Sequence, residues 1–168
     1  MTVRPVLRVP DPVLKARARA LAAEELALAE QVAADLLDTM RAHPRCVGLA
    51  APQIGELVRM VVVDCTDHPR APDAAGLLLL VNPEIVERDG EEVAREGCLS
   101  IPELTANVRR SVSIAVEALT PDGEPIALRS QGFEARCIQH ELDHLDGILF
   151  LDRVDSLRRD VFRRKSYG

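Results

Sequence analysis

Gln139-His140-Glu141-Leu142-Asp143-His144, followed by Leu145-Asp146-Gly147, packs two imidazoles and a carboxylate into one helical turn. The stretch from Gln131 to Leu145 has no proline and no glycine beyond Gly132 at its start, and Gly147 supplies a stop signal, so the spacing predicts a helix there. Side chains four apart share a helix face, about 6 Å apart, so His140 and His144 can grip one cation with Glu141 beside it. The competing reading of so short a pattern is two helical histidines that face solvent or a partner.

Two imidazoles do not complete a catalytic metal site, which usually takes three protein ligands and keeps one position for water. The chain offers Cys46, Cys65, Cys98 and Cys137, with no Cys-x-x-Cys pair and no spacing that suggests a disulfide framework. Cys65 ends the apolar run Met60-Val61-Val62-Val63 and reads as core. Cys137 precedes His140 by three residues, but it lies two turns from His144 on a short side chain, so it reads as a pocket wall beside the metal. Cys98 sits in Glu96-Gly97-Cys98-Leu99-Ser100, where the glycine lets backbone approach a ligand closely. From chemistry alone, a ligand and a half-buried thiol at a strand edge stay equally open there.

Elsewhere, Pro10-Asp11-Pro12 reads as an extended lead-in, and Glu24 to Arg41 as the first long helix, ended by His43-Pro44. Leu21, Leu28, Val32, Leu36 and Met40 recur at helical spacing and form a core stripe. Leu57 to Cys65 and Leu77 to Val81 are strands by their β-branched and apolar content, separated by a loop over 67–73 in which His68 is solvated. Asp89-Gly90 marks a turn between Ile85-Val86 and Val93. Pro121-Asp122-Gly123 joins Val112–Leu119 to Pro125–Leu128 as an antiparallel hairpin. Short strands without helical crossovers argue against a doubly wound parallel sheet. The expected fold is α+β, with antiparallel β-sheets partly surrounding a central metal-binding helix.

The 168 residues suggest one domain spanning 1–168, long enough to bury a sizeable core. With 27 acidic against 21 basic residues the net charge is -6, and aromatics make up 2%, so general nucleic-acid binding has neither a charge nor a stacking basis. No apolar run approaches the ~20 residues that span a bilayer, and Met1 to Val6 lacks a secretory hydrophobic region, so a cytoplasmic protein with no membrane contact is expected. The tail gathers Arg153, Arg158, Arg159, Arg163, Arg164 and Lys165; a solvated helix face is the default account, and transient ribosome contact the sharper one.

Three motifs stand in order: Gly48-Leu49-Ala50-Ala51-Pro52-Gln53, then Glu96-Gly97-Cys98-Leu99-Ser100, then His140-Glu141-Leu142-Asp143-His144. Together they resemble the signature motifs of the peptide deformylases, and the resemblance covers about Val6 to Asp152. It implies a hydrolase that removes the N-formyl group from N-formyl-methionyl nascent peptides and releases formate. It implies one divalent metal ion held by Cys98, His140 and His144, Fe²⁺ first, with Zn²⁺, Ni²⁺ or Co²⁺ able to take the place. Glu141 is implied as general base and acid, and the Gln53 amide and Leu99 N–H as donors to the oxyanion. By the same resemblance Val47, Gly48, Gly97 and Leu99 pair with the peptide backbone, and the methionine side chain enters a pocket near Phe133, Arg136, Cys137 and His140. A monomer is expected.

The chain departs from the pattern at three points. Cys46 stands where bacterial relatives usually carry another glycine, Arg136 where many carry an apolar residue, and the segment after Asp152 is shorter than their long terminal helix. Glu96 and Asp143 are expected to orient a histidine or pair with arginine. Two other classes compete: a zincin-like metallopeptidase, which lacks a further ligand motif after His144, and a catalytically silent relative kept as a binding protein.

Overall fold

The computed structural model describes residues 2–165. Its strands are β1 (Gly48–Ala50), β2 (Met60–Asp64), β3 (Leu77–Asp89), β4 (Glu92–Cys98), β5 (Ile101–Arg110), β6 (Ser113–Leu119), β7 (Pro125–Gln131) and β8 (Val161–Arg163). Its α-helices are α1 (Leu26–Arg41), α2 (Gly132–Leu145) and α3 (Leu157–Asp160). Strands pair in the order β1-β2-β3-β6-β7 in one sheet and β4-β5-β8 in another, every named pair antiparallel. The architecture is the expected α+β class, with α2 packed on β1, β2, β6 and β7.

The pleat of β2 explains why two helices can use one sheet. Successive strand side chains point to opposite faces. Val61 and Val63 join Leu80, Val116, Ile138, Leu142 and Leu145 around α2, while Met60 and Val62 join Val32, Leu36 and Met40 of α1. Each such side chain contributes roughly 1.5–3 kcal/mol on full burial. A third cluster, with Leu14, Ile101, Val108, Leu149 and Phe150, underlies the three-stranded sheet and includes Cys98.

Several expectations need correction. The first helix begins at Leu26, because Glu25 folds back to accept the Ala22 N–H at 2.7 Å and grips Arg19. Leu21 is buried ahead of the helix, its N–H bonded to Asn82 Oδ1, and Leu28 is only half-buried. The strand expected from Leu57 is regular only over Met60–Asp64. Leu77 to Val81 and Ile85-Val86 are one strand, since β3 runs on through Asn82, at φ 50, and Pro83 by way of register shifts after Val81 and Ile85. Bulges of this kind tolerate a proline that a regular ladder does not. The lead-in at Pro10-Asp11-Pro12 closes into a 3-10 turn over Pro12–Lys15, capped by Asp11. The basic tail is no helix face: α3 spans four residues and the chain then pairs with β5 as β8. His68 is half-buried and stacks on Phe133, ring centroids 4.2 Å apart.

Candidate metal centre

Helix α2 is buried almost all round, and apart from Glu141 its charged residues survive there because each is committed to a partner. His140 Nδ1 lies 2.8 Å from Glu96 Oε1. Arg110 donates to both Glu96 oxygens at 2.9 and 3.0 Å, and Arg136 Nη1 donates to Glu96 Oε2 at 2.7 Å. Burial raises the Glu96 pKa, but the hydrogen bonds from His140 and Arg110 outweigh it and hold the carboxyl below its usual range. An ionised carboxylate only accepts, so His140 carries a proton on Nδ1, which leaves Nε2 as its ligand atom.

Cys98 ends β4 at a register irregularity before the Leu99-Ser100 turn, which aims its sulfur at α2. Cys98 Sγ is 3.4 Å from His144 Nε2, and the ligand atoms of Cys98, His140 and His144 all lie within 4.8 Å of one another. Tetrahedral coordination at Zn–S ≈ 2.3 Å and Zn–N ≈ 2.0–2.1 Å needs donors roughly 3–4 Å apart, so the cluster fits one ion with little movement. One sulfur and two imidazoles suit a borderline transition metal and not Mg²⁺ or Ca²⁺. Burial opposes ionisation of Cys98, yet the charge of His144 and hydrogen bonds from both histidines hold the thiol well below its ordinary value. Burial likewise opposes charging His140, but Cys98 and Glu96 push it well above, so an entering cation competes with a proton.

Glu141 lies against the centre with Oε1 3.8 Å from His140 Nε2, while its Oε2 is buried without a hydrogen-bond partner among the described residues. Burial pushes its carboxyl up to about 7, against the pull of the two histidines. A carboxylate poised near neutrality and still owed a donor is suited to move a proton. Gly48 makes room for it: a Cβ there would sit 3.0 Å from Glu141 Cγ.

A cleft of about 280 Å³ opens onto this cluster and is lined by Val47, Gly48, Gln53, Gly97, Cys98, Leu99, Phe133, Arg136, Cys137, His140 and Glu141. His144 lies behind it, 1% exposed. Gln53 is fixed by the Ala50 N–H to its Oε1, and its Nε2 donates to Ser100 Oγ at 3.1 Å and Cys98 Sγ at 3.5 Å. The Arg136 guanidinium is spent on Glu96, Val108 O and Glu92 O, so at this wall the side chain offers the cleft its stem more than its charge. Asp143 binds Arg110 and takes a two-pronged bond from Arg153. Cys46 also lines the cleft, its Sγ bonded to Gly48 O, and burial beside Glu141 pushes its thiol up to about 12. Sequence reasoning missed Arg110, Arg45 and Arg95, and read Arg164 only as one charge of the basic tail, whereas Arg45, Arg95 and Arg164 line the cleft.

Two imidazoles, a thiol and a buried carboxylate converging on a cleft define a metal-dependent hydrolase site. The polypeptide deformylase family matches residues 3–160. A peptide deformylase from Xylella fastidiosa is 41% identical over 98% of this chain and 95% of its own. A class I type b peptide deformylase from Acinetobacter baumannii, solved with Met-Ala-Ser bound, has 39% identity and a TM-score of 0.84 over 91% of this chain and 99% of that one. A peptide deformylase from Thermus thermophilus gives 38% identity and a TM-score of 0.81, covering 91% and 86%. The chain belongs to the polypeptide deformylase family.

Proposed function

We propose that this chain deformylates the N-terminal formyl-methionine of newly made polypeptides, with Cys98, His140 and His144 as metal ligands and Glu141 as general base and acid. The observation that carries the reading is the Cys98/His140/His144 cluster within 4.8 Å, with the unpartnered Glu141 Oε2 beside it. When bound, a divalent ion supplies Lewis acidity, lowering the pKa of water from 15.7 towards ~7. Fe²⁺ is our choice in a reducing cytoplasm, which also protects the thiolate.

Glu141 takes a proton from the attacking water on Oε2 and delivers it to the departing amine, leaving formate and a free N-terminus. Gln53 Nε2 and the Leu99 N–H steady the charge that grows on the formyl oxygen. Val47, Gly48, Gly97 and Leu99 hold the peptide backbone as added strands, which orients the substrate with little regard to its side chains. The methionine side chain lies against Phe133, Cys137, His140 and the Arg136 stem. Phe133 is itself held from behind by stacked His68 and by Arg70, whose guanidinium carbon lies 4.9 Å from the ring centre. One catalytic domain acts alone as a monomer, with at most a transient ribosome contact.

The test is anaerobic assay of the purified protein with metal analysis, using formyl-Met-Ala-Ser, acetyl-Met-Ala-Ser and an internal peptide bond. Formate release from the formyl peptide alone is expected. Cleavage of the internal bond would instead make the chain a metallopeptidase, and binding without turnover a silent relative.

A further inference from the structure

The three-stranded sheet delivers positive charge to the cleft mouth from a part of the chain far from every motif. β8 pairs with β5 through Leu104 and Arg163, Thr105 and Phe162, and Ala106 and Val161, and the Arg164 N–H then donates to Glu103 O at 2.8 Å. Arg95 of β4 clamps this strand down: its guanidinium carbon is 3.8 Å from the Phe162 ring centre, and its nitrogens donate to Asn107 and Thr105. Arg164 is thereby laid across β4. A Cβ built on Gly97 would collide with Arg164 Nη2, so the guanidinium rests on the bare backbone of a residue assigned above to hold the peptide.

Charge at the mouth opposes that of the whole molecule. Arg45, Arg95 and Arg164 line the cleft, whereas its acidic residues, Glu96 and Glu141, are buried at 8% and 4% exposure. This lies in a chain of net charge -6. Resting on the deformylase reading, we propose that Arg164 is a specificity-determining residue: its guanidinium on Gly97 favours formyl-methionyl peptides with acidic residues in the two positions after methionine. A peptide seated along Gly97 runs its next side chains past this cation, and arginine meets a carboxylate with a planar fork of donors. The like-charged Arg45 and Arg95 add attraction for acidic chains and repulsion for basic ones.

The experiment compares kcat/KM for formyl-Met-Glu-Glu and formyl-Met-Lys-Lys on the metal-loaded enzyme. Wild type should favour the acidic peptide by about fivefold at low salt, the scale of a solvent-facing ion pair, and less at high salt. Arg164→Glu should bring the ratio to one or below, and Arg164→Lys should keep most of it. Arg163→Glu makes the same charge change one residue away, outside the cleft lining, and should leave the ratio as it was. Arg164→Gln stands in if the glutamate variant does not fold, and should bring the ratio towards one. An unchanged ratio in Arg164→Glu or Arg164→Gln, or an equal loss in Arg163→Glu, overturns the proposal. No turnover of any formyl peptide by wild type would overturn the deformylase reading, and this inference with it.

Discussion

Helices α1 and α2 are nearly equal in length, 16 and 14 residues, yet they are built on different principles. α1 is an amphipathic surface helix: its buried positions are Ala29, Val32, Ala33, Asp35, Leu36, Thr39 and Met40, and the rest is half-buried or faces water. α2 buries Glu134, Arg136, Gln139, Glu141, Asp143 and His144 alongside its apolar residues. On α1 a side chain matters for its volume. On α2 it matters for its partner, because a charge left unpaired inside the protein costs far more than a lost methyl group. Chemistry has been placed where exchange is least tolerated, which fixes the imidazoles within a cage of ion pairs.

The largest break in that contrast comes from Glu141→Gln. Formate release should fall by roughly 10²–10⁴-fold, as for loss of a general base. Thermal stability should hold or rise, since the buried carboxylate gives way to a neutral amide. A variant that keeps turnover would remove Glu141 from the reaction.

Glu96→Ala is next. It strips His140, Arg110 and Arg136 of their common acceptor, so urea unfolding should show a loss of about 3–5 kcal/mol, and metal affinity a drop of about 10–100-fold. Unchanged metal affinity would show that Glu96 does not orient the ligand.

On the other helix, Leu36→Ala should cost about 2–5 kcal/mol by cavity formation, while metal stoichiometry stays at its wild-type value. Metal loss in that variant would dissolve the distinction between the helices.

The smallest effect belongs to the start of α1. The Arg19 guanidinium and the Ala22 N–H hold Glu25 down to about 2, below its unfolded value, so its contribution is present above the unfolded pKa and fades as pH falls through that range. Wild type and Glu25→Gln should therefore differ slightly in melting temperature at pH 6 and converge towards pH 2. A constant difference would deny the linkage.

The sequence made α2 legible because an unbroken helical stretch and the His-Glu-x-x-His spacing agree locally. The hairpin at Pro121-Asp122-Gly123 was legible for the same reason, with Gly123 at φ 87 as a tight turn requires. What escaped was long-range. Leu77 to Val81 and Ile85-Val86 read as separate segments, and only pairing with β6 shows that β3 joins them through Pro83 by a bulge. The arginines of the tail read as one solvated face, because nothing near them announces that β5, some 55 residues earlier, offers an edge to complete. Arg110 has no motif at all, and its importance appears only once β5 is laid against α2. Cys98 needed the family resemblance, since 46 residues separate it from His144 and geometry alone brings sulfur to nitrogen.

Strand β2 is a party wall between two tenants. Met60 and Val62 face one helix, Val61 and Val63 the other, and none of the four has measurable exposure. Slipping its ladder by one residue would swap the two sets and fit neither side. Close-packed interiors yield little, so crowding on the quiet side presses on the imidazoles through a single thickness of peptide. A methyl group added or removed beneath α1 is thus a fine adjustment to the angle between the two histidines, too slight to empty the place between them.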